Sequence, residues 1–224
     1  ALGANLYLAQ VACRTRIADI LSAGTTQAMH RRTEFARDAI TSLQLVYGNF
    51  YTSSSSEVAP SGARTIAASI EYPAGTVTQV LFSGSASVSI ASGTAQQVSD
   101  ALIISIPKGA QYWIHTYQSS ASGVLTFTSS LSSAALGDAA LLGASDGTAS
   151  TAWMATANYG GGSFGPYAVI AQTNLPAIAV AGDSRCCNAT GTASVTNYGG
   201  SISPSVGPFL PVLDLSRGSQ SAAN

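Results

Sequence analysis

Residues 102–117 read Leu102-Ile-Ile-Ser-Ile-Pro-Lys-Gly-Ala-Gln-Tyr-Trp-Ile-His-Thr-Tyr117. An apolar residue occupies every second position from Leu102 to Ile106, and this run stops at the turn sequence Pro107-Lys-Gly109. The run that follows, residues 112–117, is apolar or aromatic on both faces, which indicates a strand inside a sandwich or beneath a covering segment. The stretch therefore predicts two consecutive strands, the second of them central.

Similar short runs recur between residue 39 and about residue 172, and each is bounded by turn residues. They lie at residues 42–51, 66–72, 80–82, 86–90, 124–129 and 166–171. Roughly eight strands with no long helix between them predict a mainly β protein, with a jelly-roll-like antiparallel β-sandwich over residues 39–172. Its predicted core contains Leu102, Ile104, Ile106, Tyr112 and Ile114. Segments 53–56 and 134–151 are rich in small residues and are predicted to be loops.

The composition excludes several classes of protein and partner. Only 8% of the 224 residues are charged, which argues against a disordered tail or a coiled coil. Nine Lys and Arg against ten Asp and Glu create no positive field, so no nucleic-acid partner is expected. No apolar run approaches the ~20 residues that cross a bilayer, so no membrane insertion is expected, and no targeting signal opens the chain.

Residues 1–38 carry five of the nine cationic side chains, and Ile17, Ile20 and Leu21 have helix-like spacing. The five are Arg14, Arg16, Arg31, Arg32 and Arg37. This pattern predicts an amino-terminal arm with a short helix, and no packing face for it is evident within the chain. We therefore expect a homo-oligomer or larger assembly, with the arm as the docking element.

The texture changes near residue 173, where a second domain is predicted to begin. Residues 177–181 are apolar on both faces, which is typical of a buried parallel strand, and they run directly into Gly182-Asp183-Ser184. A second apolar strand, residues 212–215, runs into Ser216-Arg217-Gly218. Open α/β sheets place their active sites at the carboxyl ends of such strands. The two strands are therefore expected to be parallel neighbours, with Ser184 and Gly218 converging at their ends.

Residues 176–224 resemble the SGNH, or GDSL-type, hydrolase family, whose first block is a strand followed by Gly-Asp-Ser and whose second block centres on a glycine after the next strand. The resemblance implies that residues 173–224 are the start of an α/β domain, incomplete as given. It implies that Ser184 is the nucleophile, that the backbone N–H groups of Ser184 and Gly218 form the oxyanion hole, and that Asp183 shapes the turn. The stretch 106–114 is similar to the β-rich region fronting some bacterial and phage SGNH proteins.

The family has two later blocks, a third that carries an oxyanion-hole asparagine and a last that reads Asp-x-x-His. Neither block is found before the last residue given, Asn224. No histidine follows His115, so the chain alone is expected to be catalytically incomplete, with no cofactor or metal. His115 is more typical of an ordinary strand residue than of a recruited base, and His30 is expected to be an exposed polar residue. Cys186 and Cys187 are more typical of small packing residues than of reactive thiols. Cys13 is too far from them in sequence to give the spacing of a metal site.

Three functions remain open at this point. The first is the amino-terminal portion of an SGNH-like esterase or deacetylase acting on acylated carbohydrate. The second is a phage virion or tail protein, or another assembly subunit. The third is a carbohydrate-binding module, for which the candidate stacking residues are Tyr112, Trp113, Tyr117, Trp153, Tyr159 and Tyr167. An extracellular or virion location is favoured, and the sequence names no substrate.

Overall fold

The computed structural model describes residues 6–53, 56–128, 133–159, 163–181 and 206–215. Strands dominate these residues, which confirms the prediction of a mainly β protein. In chain order the strands are β1 (Tyr7–Gln10), β2 (Thr15–Arg16), β3 (Ile20–Ala23), β4 (Gln27–Phe35), β5 (Ile40–Tyr47), β6 (Tyr51–Thr52), β7 (Glu57–Val58), β8 (Arg64–Glu71), β9 (Val77–Val80), β10 (Ser87–Ile90), β11 (Gln97–Val98), β12 (Leu102–Ile106), β13 (Gln111–Ser119), β14 (Val124–Phe127), β15 (Ala139–Leu142), β16 (Asn158–Tyr159), β17 (Ala168–Thr173), β18 (Ile178–Val180) and β19 (Val212–Asp214). Short 3-10 helices span Ala134–Leu136 and Ala152–Thr156. No helix within the described ranges has the length and apolar character needed to span a bilayer.

Two large antiparallel sheets form the body of the molecule. The first has the order β1-β17-β5-β11, with β12 also paired to β5, and the second has the order β10-β8-β13-β4-β15-β16, with β9 also paired to β8. Leu43 and Leu45 of the five-stranded sheet share one buried core with Ile70 and Ile114 of the seven-stranded sheet. Burial of these apolar faces is the main stabilising contribution to the body.

Residues 102–117 supply β12 and most of the central strand β13. β13 lies between β8 and β4 and pairs with both over most of its length, as a central strand should. Three of the predicted core residues are buried: Ile106, Tyr112 and Ile114. The other two, Leu102 and Ile104, are partly buried and pack against the core. Ile103, which points to the other face of β12, is 81% exposed. The period of two therefore decides which side chains enter the core.

The prediction of an amino-terminal arm with a short helix is wrong. β1 pairs with β17, and β4 lies directly beside β13 in the seven-stranded sheet. Ile20 and Leu21 lie in β3, where they pair with Phe127 and Thr126 of β14. Pairing with distant strands outweighs the local helix-like spacing, because each pairing satisfies backbone groups in a stable sheet, whereas an isolated short helix is marginal in water.

A small parallel sheet has the order β18-β19-β2. Ile178 pairs with Val212 and Val180 with Asp214, so the expected parallel pairing of these two strands is observed. The third strand was not foreseen: β2 comes from the amino-terminal segment, and its Thr15 pairs with Leu213. Since β1 belongs to the five-stranded sheet, residues 7–16 join the parallel sheet to the antiparallel body.

The small-residue segment predicted as a loop at 134–151 covers the outer face of the seven-stranded sheet. Its strand β15 pairs with β4, and its Thr148 carbonyl accepts a 2.7 Å hydrogen bond from Oγ of Ser69 on β8. This segment explains why β13 is apolar or aromatic on both faces. In the other predicted loop, 53–56, residues 54 and 55 lie outside the described ranges.

Candidate functional site

The residues that the sequence singled out for catalysis, Ser184, Asp183 and Gly218, lie outside the described residues, as do Cys186 and Cys187. The strands that lead to the serine and the glycine are described. Val180 is buried at the end of β18, and its carbonyl accepts a 2.8 Å hydrogen bond from the backbone N–H of Leu215, the residue that follows β19. The two chain segments thus leave the same edge of the parallel sheet side by side.

The third strand brings buried charge to the same edge. Arg16 of β2 is paired in register with Asp214 of β19, and both side chains are buried. Nη2 of Arg16 donates a 2.8 Å hydrogen bond to Oδ2 of Asp19. The Ala18 carbonyl accepts a 2.9 Å hydrogen bond from the N–H of Thr52 in β6. The carboxyl end of β2 is therefore fastened to the antiparallel body.

A small cavity of about 10 Å³, enough for one water molecule, separates this end of β2 from the body. Its lining residues are Arg16, Ile17, Ala18, Gly48, Phe50, Phe164, Gly165 and Tyr167. Phe50 also lines an open cleft of about 220 Å³. The rest of that cleft is formed by Glu57, Val58, Ala59, Gly93 and Ala95. Phe50 is therefore shared by the small cavity and the cleft.

Tyr167 braces the aromatic wall of this cleft. Its ring centroid lies 6.0 Å from that of Phe50, at an interplanar angle of 60°. Its hydroxyl donates a 3.0 Å hydrogen bond to the carbonyl of Ala95, and burial raises the pKa of that hydroxyl. Ala95 is itself part of the cleft lining, so β17 and the loop before β11 are held together there.

A connected titratable cluster lies elsewhere, beneath the covering segment. Nε and Nη2 of Arg31 donate hydrogen bonds of 2.8 and 2.9 Å to the two carboxylate oxygens of Glu71. Oε2 of Glu71 lies 2.7 Å from Nε2 of His115, and Oε1 accepts a 2.8 Å bond from the N–H of Gly75. Burial by itself raises the pKa of Glu71, but these donors outweigh it and lower the pKa from 4.5 to about 2.

His115 is completely engaged by this cluster. The indole N–H of Trp153, which can only donate, lies 3.3 Å from Nδ1 of His115. Nδ1 is therefore the acceptor, and the ring hydrogen on Nε2 points to Glu71. The ring has no exposed surface. His115 is a structural link between sheet and covering segment, and it offers no nitrogen to a serine elsewhere.

His30 was expected to be exposed, and this expectation is wrong. The side chain has no exposed surface, its Nε2 lies 3.1 Å from Nε2 of Gln118, and its ring packs edge-on against Phe127 and Phe164. The reason is that β4 is an inner strand of the seven-stranded sheet, so both of its faces are covered. Neither histidine of this sequence faces solvent.

The arginines of the predicted docking arm are internal. Arg14 forms an ion pair with Asp138, and Nε of Arg32 lies 3.7 Å from Oε1 of Glu34, with no exposed side-chain surface in either pair. Burial lowers the pKa of Arg32 and raises the pKa of Glu34. Charges this deeply buried are costly unless they are paired, so these contacts belong to the fold and not to a docking surface.

Most of the aromatic residues proposed for stacking on carbohydrate are engaged within the fold. Tyr112 is fully buried, the Trp113 ring lies under the Arg31 guanidinium, and the Tyr117 hydroxyl bonds to Gln27. Trp153 is held by His115, and the side chain of Tyr159 is not among those described. Tyr167 is the candidate that borders the open cleft. The sequence pattern did not mark Phe50 and Glu57, because their cleft forms where the β6–β7 hairpin lies beside the distant residues Gly93 and Ala95.

In the part of the chain that the structure describes, no three His, Cys, Asp or Glu side chains are grouped to hold a metal ion. Burial raises the pKa of the Cys13 thiol to about 12, which makes it a poor nucleophile. No protein-family model matches this sequence, and no curated protein matches it.

Proposed function

We propose that this chain is the amino-terminal portion of an SGNH-like esterase or deacetylase that acts on acylated carbohydrate. The observation that carries the proposal is the parallel pairing of β18 with β19. One strand runs into Gly182-Asp183-Ser184 and the other into Ser216-Arg217-Gly218. The two sequence blocks, whose Ser184 and Gly218 are 34 positions apart, thus follow the ends of adjacent strands. A shared reaction centre requires this arrangement.

In the proposed reaction, Oγ of Ser184 attacks the acyl carbonyl of the ester. The backbone N–H groups of Ser184 and Gly218 stabilise the oxyanion, and such donors are each worth roughly 3 kcal/mol. The serine proton needs a base, and His30 and His115 are buried in the seven-stranded sheet. The proposal therefore includes an Asp-x-x-His supplied by a longer natural chain. Its imidazole takes the Oγ proton and gives it to the departing sugar oxygen as the ester C–O bond breaks, and water then hydrolyses the acyl-serine to release the acid and free Ser184.

The antiparallel body is proposed to be a jelly-roll-like β-sandwich that serves as an accessory module. Its support is the single core shared by the two large sheets, together with the attachment of residues 7–16 to both the body and the parallel sheet. Such an attachment fixes the body relative to the carboxyl edge where the reaction is proposed. An accessory module held in this way is suited to presenting a large substrate to a small reaction centre.

A virion or tail subunit is the second candidate, and edge strand β1 favours it. Leu6 is 59% exposed and Leu8 is 53% exposed, and residues 6–13 contain no charged side chain. An uncharged apolar edge is a template for pairing with another chain. Sedimentation of the wild type and of Leu8→Glu tests this candidate: a homo-oligomer that dissociates in the variant supports it, whereas a wild-type monomer contradicts it.

Hydrolysis of 4-nitrophenyl acetate tests the esterase proposal. The substrate is given to this chain, to a longer product of the same gene, and to the Ser184→Ala variant of each, with Ser87→Ala, an exposed strand residue, as the matched control. We expect background rates from the short chain and activity from the longer product that falls at least ~10³-fold in Ser184→Ala. Ser87→Ala should keep full activity. Absence of activity from the longer product, or activity that survives Ser184→Ala, overturns the proposal.

A further inference from the structure

We infer that the cleft between Phe50 and Glu57 binds one sugar residue of the acylated substrate, so that the antiparallel body supplies the glycan subsite of the reaction centre. This inference rests on the proposed function and names a substrate site for it. The cleft lies outside the strands that lead to Ser184 and Gly218, and its lining residues are Phe50, Glu57, Val58, Ala59, Gly93 and Ala95.

The position of the cleft is the first argument. β2 lies beside β19 and two strands from β18, which is about 10 Å at the usual strand spacing. Residues 16–18, at the carboxyl end of β2, share a one-water cavity with Phe50. Phe50 also lines the cleft. A substrate seated in the cleft therefore lies next to the edge at which the serine and glycine segments begin.

The chemistry of the lining is the second argument. The Phe50 ring and the apolar side chains of Val58, Ala59 and Ala95 suit the C–H face of a pyranose ring. The exposed Glu57 carboxylate accepts hydrogen bonds from sugar hydroxyls at the rim. The same carboxylate disfavours an anionic ligand. An aromatic wall with one convergent polar group is the usual composition of a small-ligand site.

The size of the cleft limits what it holds. Its volume of about 220 Å³ is below the ~300–1,000 Å³ typical of pockets that enclose a drug-sized ligand. One neutral sugar residue fits this volume better than an oligosaccharide does, so the remaining residues of a glycan extend out of it. One of these carries the acyl group towards Ser184.

The walls are held in place before any ligand binds. The Tyr167 hydroxyl bonds to Ala95, and the side-chain amide of Asn49 donates to the carbonyls of Gly62 and Ile90 at 3.1 and 3.0 Å. The Asn49 backbone N–H donates to Thr94 at 2.9 Å. These bonds connect Phe50 to the opposite wall, so little ordering remains to oppose binding.

Equilibrium binding to this chain tests the inference without requiring catalysis. The probes are xylotriose, cellotriose and chitotriose, with anionic trigalacturonate for comparison. Their binding is measured by ligand-observed NMR and calorimetry. We expect saturable binding of at least one neutral trisaccharide and none of trigalacturonate. Phe50→Leu, which keeps apolar packing in the small cavity, and Phe50→Ala should each weaken binding at least tenfold, and Glu57→Gln should weaken it severalfold. Ser87→Ala, at an exposed position of β10, should bind as the wild type does.

The matched control is Phe209→Ala. Phe209 is 73% exposed and precedes the amino end of β19, at the opposite edge of the parallel sheet. Equal weakening by Phe209→Ala and Phe50→Leu, or no binding of any neutral trisaccharide, overturns the inference even if the longer product hydrolyses 4-nitrophenyl acetate. Binding that depends on Phe50, without ester hydrolysis by the longer product, supports the glycan site and overturns the esterase proposal. The two failures are thus distinguishable.

Discussion

Nη2 of Arg14 donates a 2.7 Å hydrogen bond to Oδ2 of Asp138, and neither side chain has exposed surface. The same carboxylate accepts hydrogen bonds from the backbone N–H groups of Thr33 and Ser133, at 2.6 and 2.8 Å. This one ion pair therefore joins the segment before β2, the inner strand β4 and the covering segment. Three parts of the chain that are distant in sequence depend on it.

Asp138→Ala is expected to lower the free energy of unfolding by about 3–5 kcal/mol, because it leaves the Arg14 guanidinium buried without its counter-ion. Urea unfolding followed by circular dichroism measures the change. The double variant Arg14→Met/Asp138→Leu is expected to recover part of the loss, since it buries no charge. A loss below about 1 kcal/mol in Asp138→Ala would contradict the ion pair as a structural requirement.

Ile114→Ala and Ile103→Ala form a matched pair on two strands that are consecutive in sequence, β13 and β12. Ile114 is fully buried on β13, so its truncation is expected to cost about 2–5 kcal/mol of unfolding free energy. Ile103 is 81% exposed on β12, so the same change is expected to cost less than about 0.5 kcal/mol. Chemical unfolding of both variants checks the difference. Similar costs at the two positions would be inconsistent with the two-residue period of β12 and β13.

Glu71 is expected to make stability pH-dependent in the acid range. The pKa of its carboxyl falls from 4.5 to about 2 on folding, so its contribution is complete above pH 4.5 and is lost as the pH falls towards 2. The stability difference between the wild type and Glu71→Gln should shrink by about 3 kcal/mol over that window. Unfolding titrations at several pH values measure it, and Ser87→Ala, which removes no titratable group, should show a constant difference. A Glu71→Gln difference independent of pH would refute the assignment.

Trp153→Phe is expected to loosen the covering segment. The change removes the N–H donor to His115 and leaves Nδ1 of that buried ring without a partner, which costs about 1–3 kcal/mol. Hydrogen exchange should increase in residues 139–156, while the strands β5 and β17 stay protected. Thr156→Ala, at an exposed position of the same 3-10 helix, is the control. Unchanged exchange in Trp153→Phe would show that the indole does not hold the segment.

Deletion of residues 1–16 is expected to destabilise the whole protein, because it removes β1, β2 and Arg14 together. A peripheral docking arm, in contrast, could be removed without effect on thermal stability. Thermal unfolding of the deletion variant checks this, with Leu8→Ser, at a half-exposed position of β1, as a mild control. A melting temperature equal to that of the wild type would support the prediction that this segment is a peripheral arm.

The strand pattern was predictable because its cause is local. A period of two places Leu102, Ile104 and Ile106 on one face of β12, and Tyr112 and Ile114 on one face of β13, whatever the rest of the chain does. The apolar runs before Gly182 and after Pro211 are typical of buried parallel strands because they are apolar on both faces. The parallel pairing of β18 with β19 followed from these two runs.

Local patterns misled where long-range pairing decides the outcome. Ile20 and Leu21 have helix-like spacing, yet they form a strand because β14 is available to pair with them. Arg14 and Arg32 were predicted to belong to a docking arm, yet they are buried, with Asp138 and Glu34 beside them in the fold. No sequence rule pairs an arginine at position 14 with an aspartate at position 138.

By itself, the sequence determined that the protein is built of β-strands, that residues 102–117 supply core strands, and that residues 177–181 and 212–215 form strands of a different kind. Only the tertiary structure decided that residues 15–16 complete the parallel sheet, that both histidines are buried, and that Phe50 and Glu57 line one cleft. The physical reason is that alternation acts between residues two apart, whereas ion pairs, sheet order and clefts join residues whose separation along the chain carries no periodic signal.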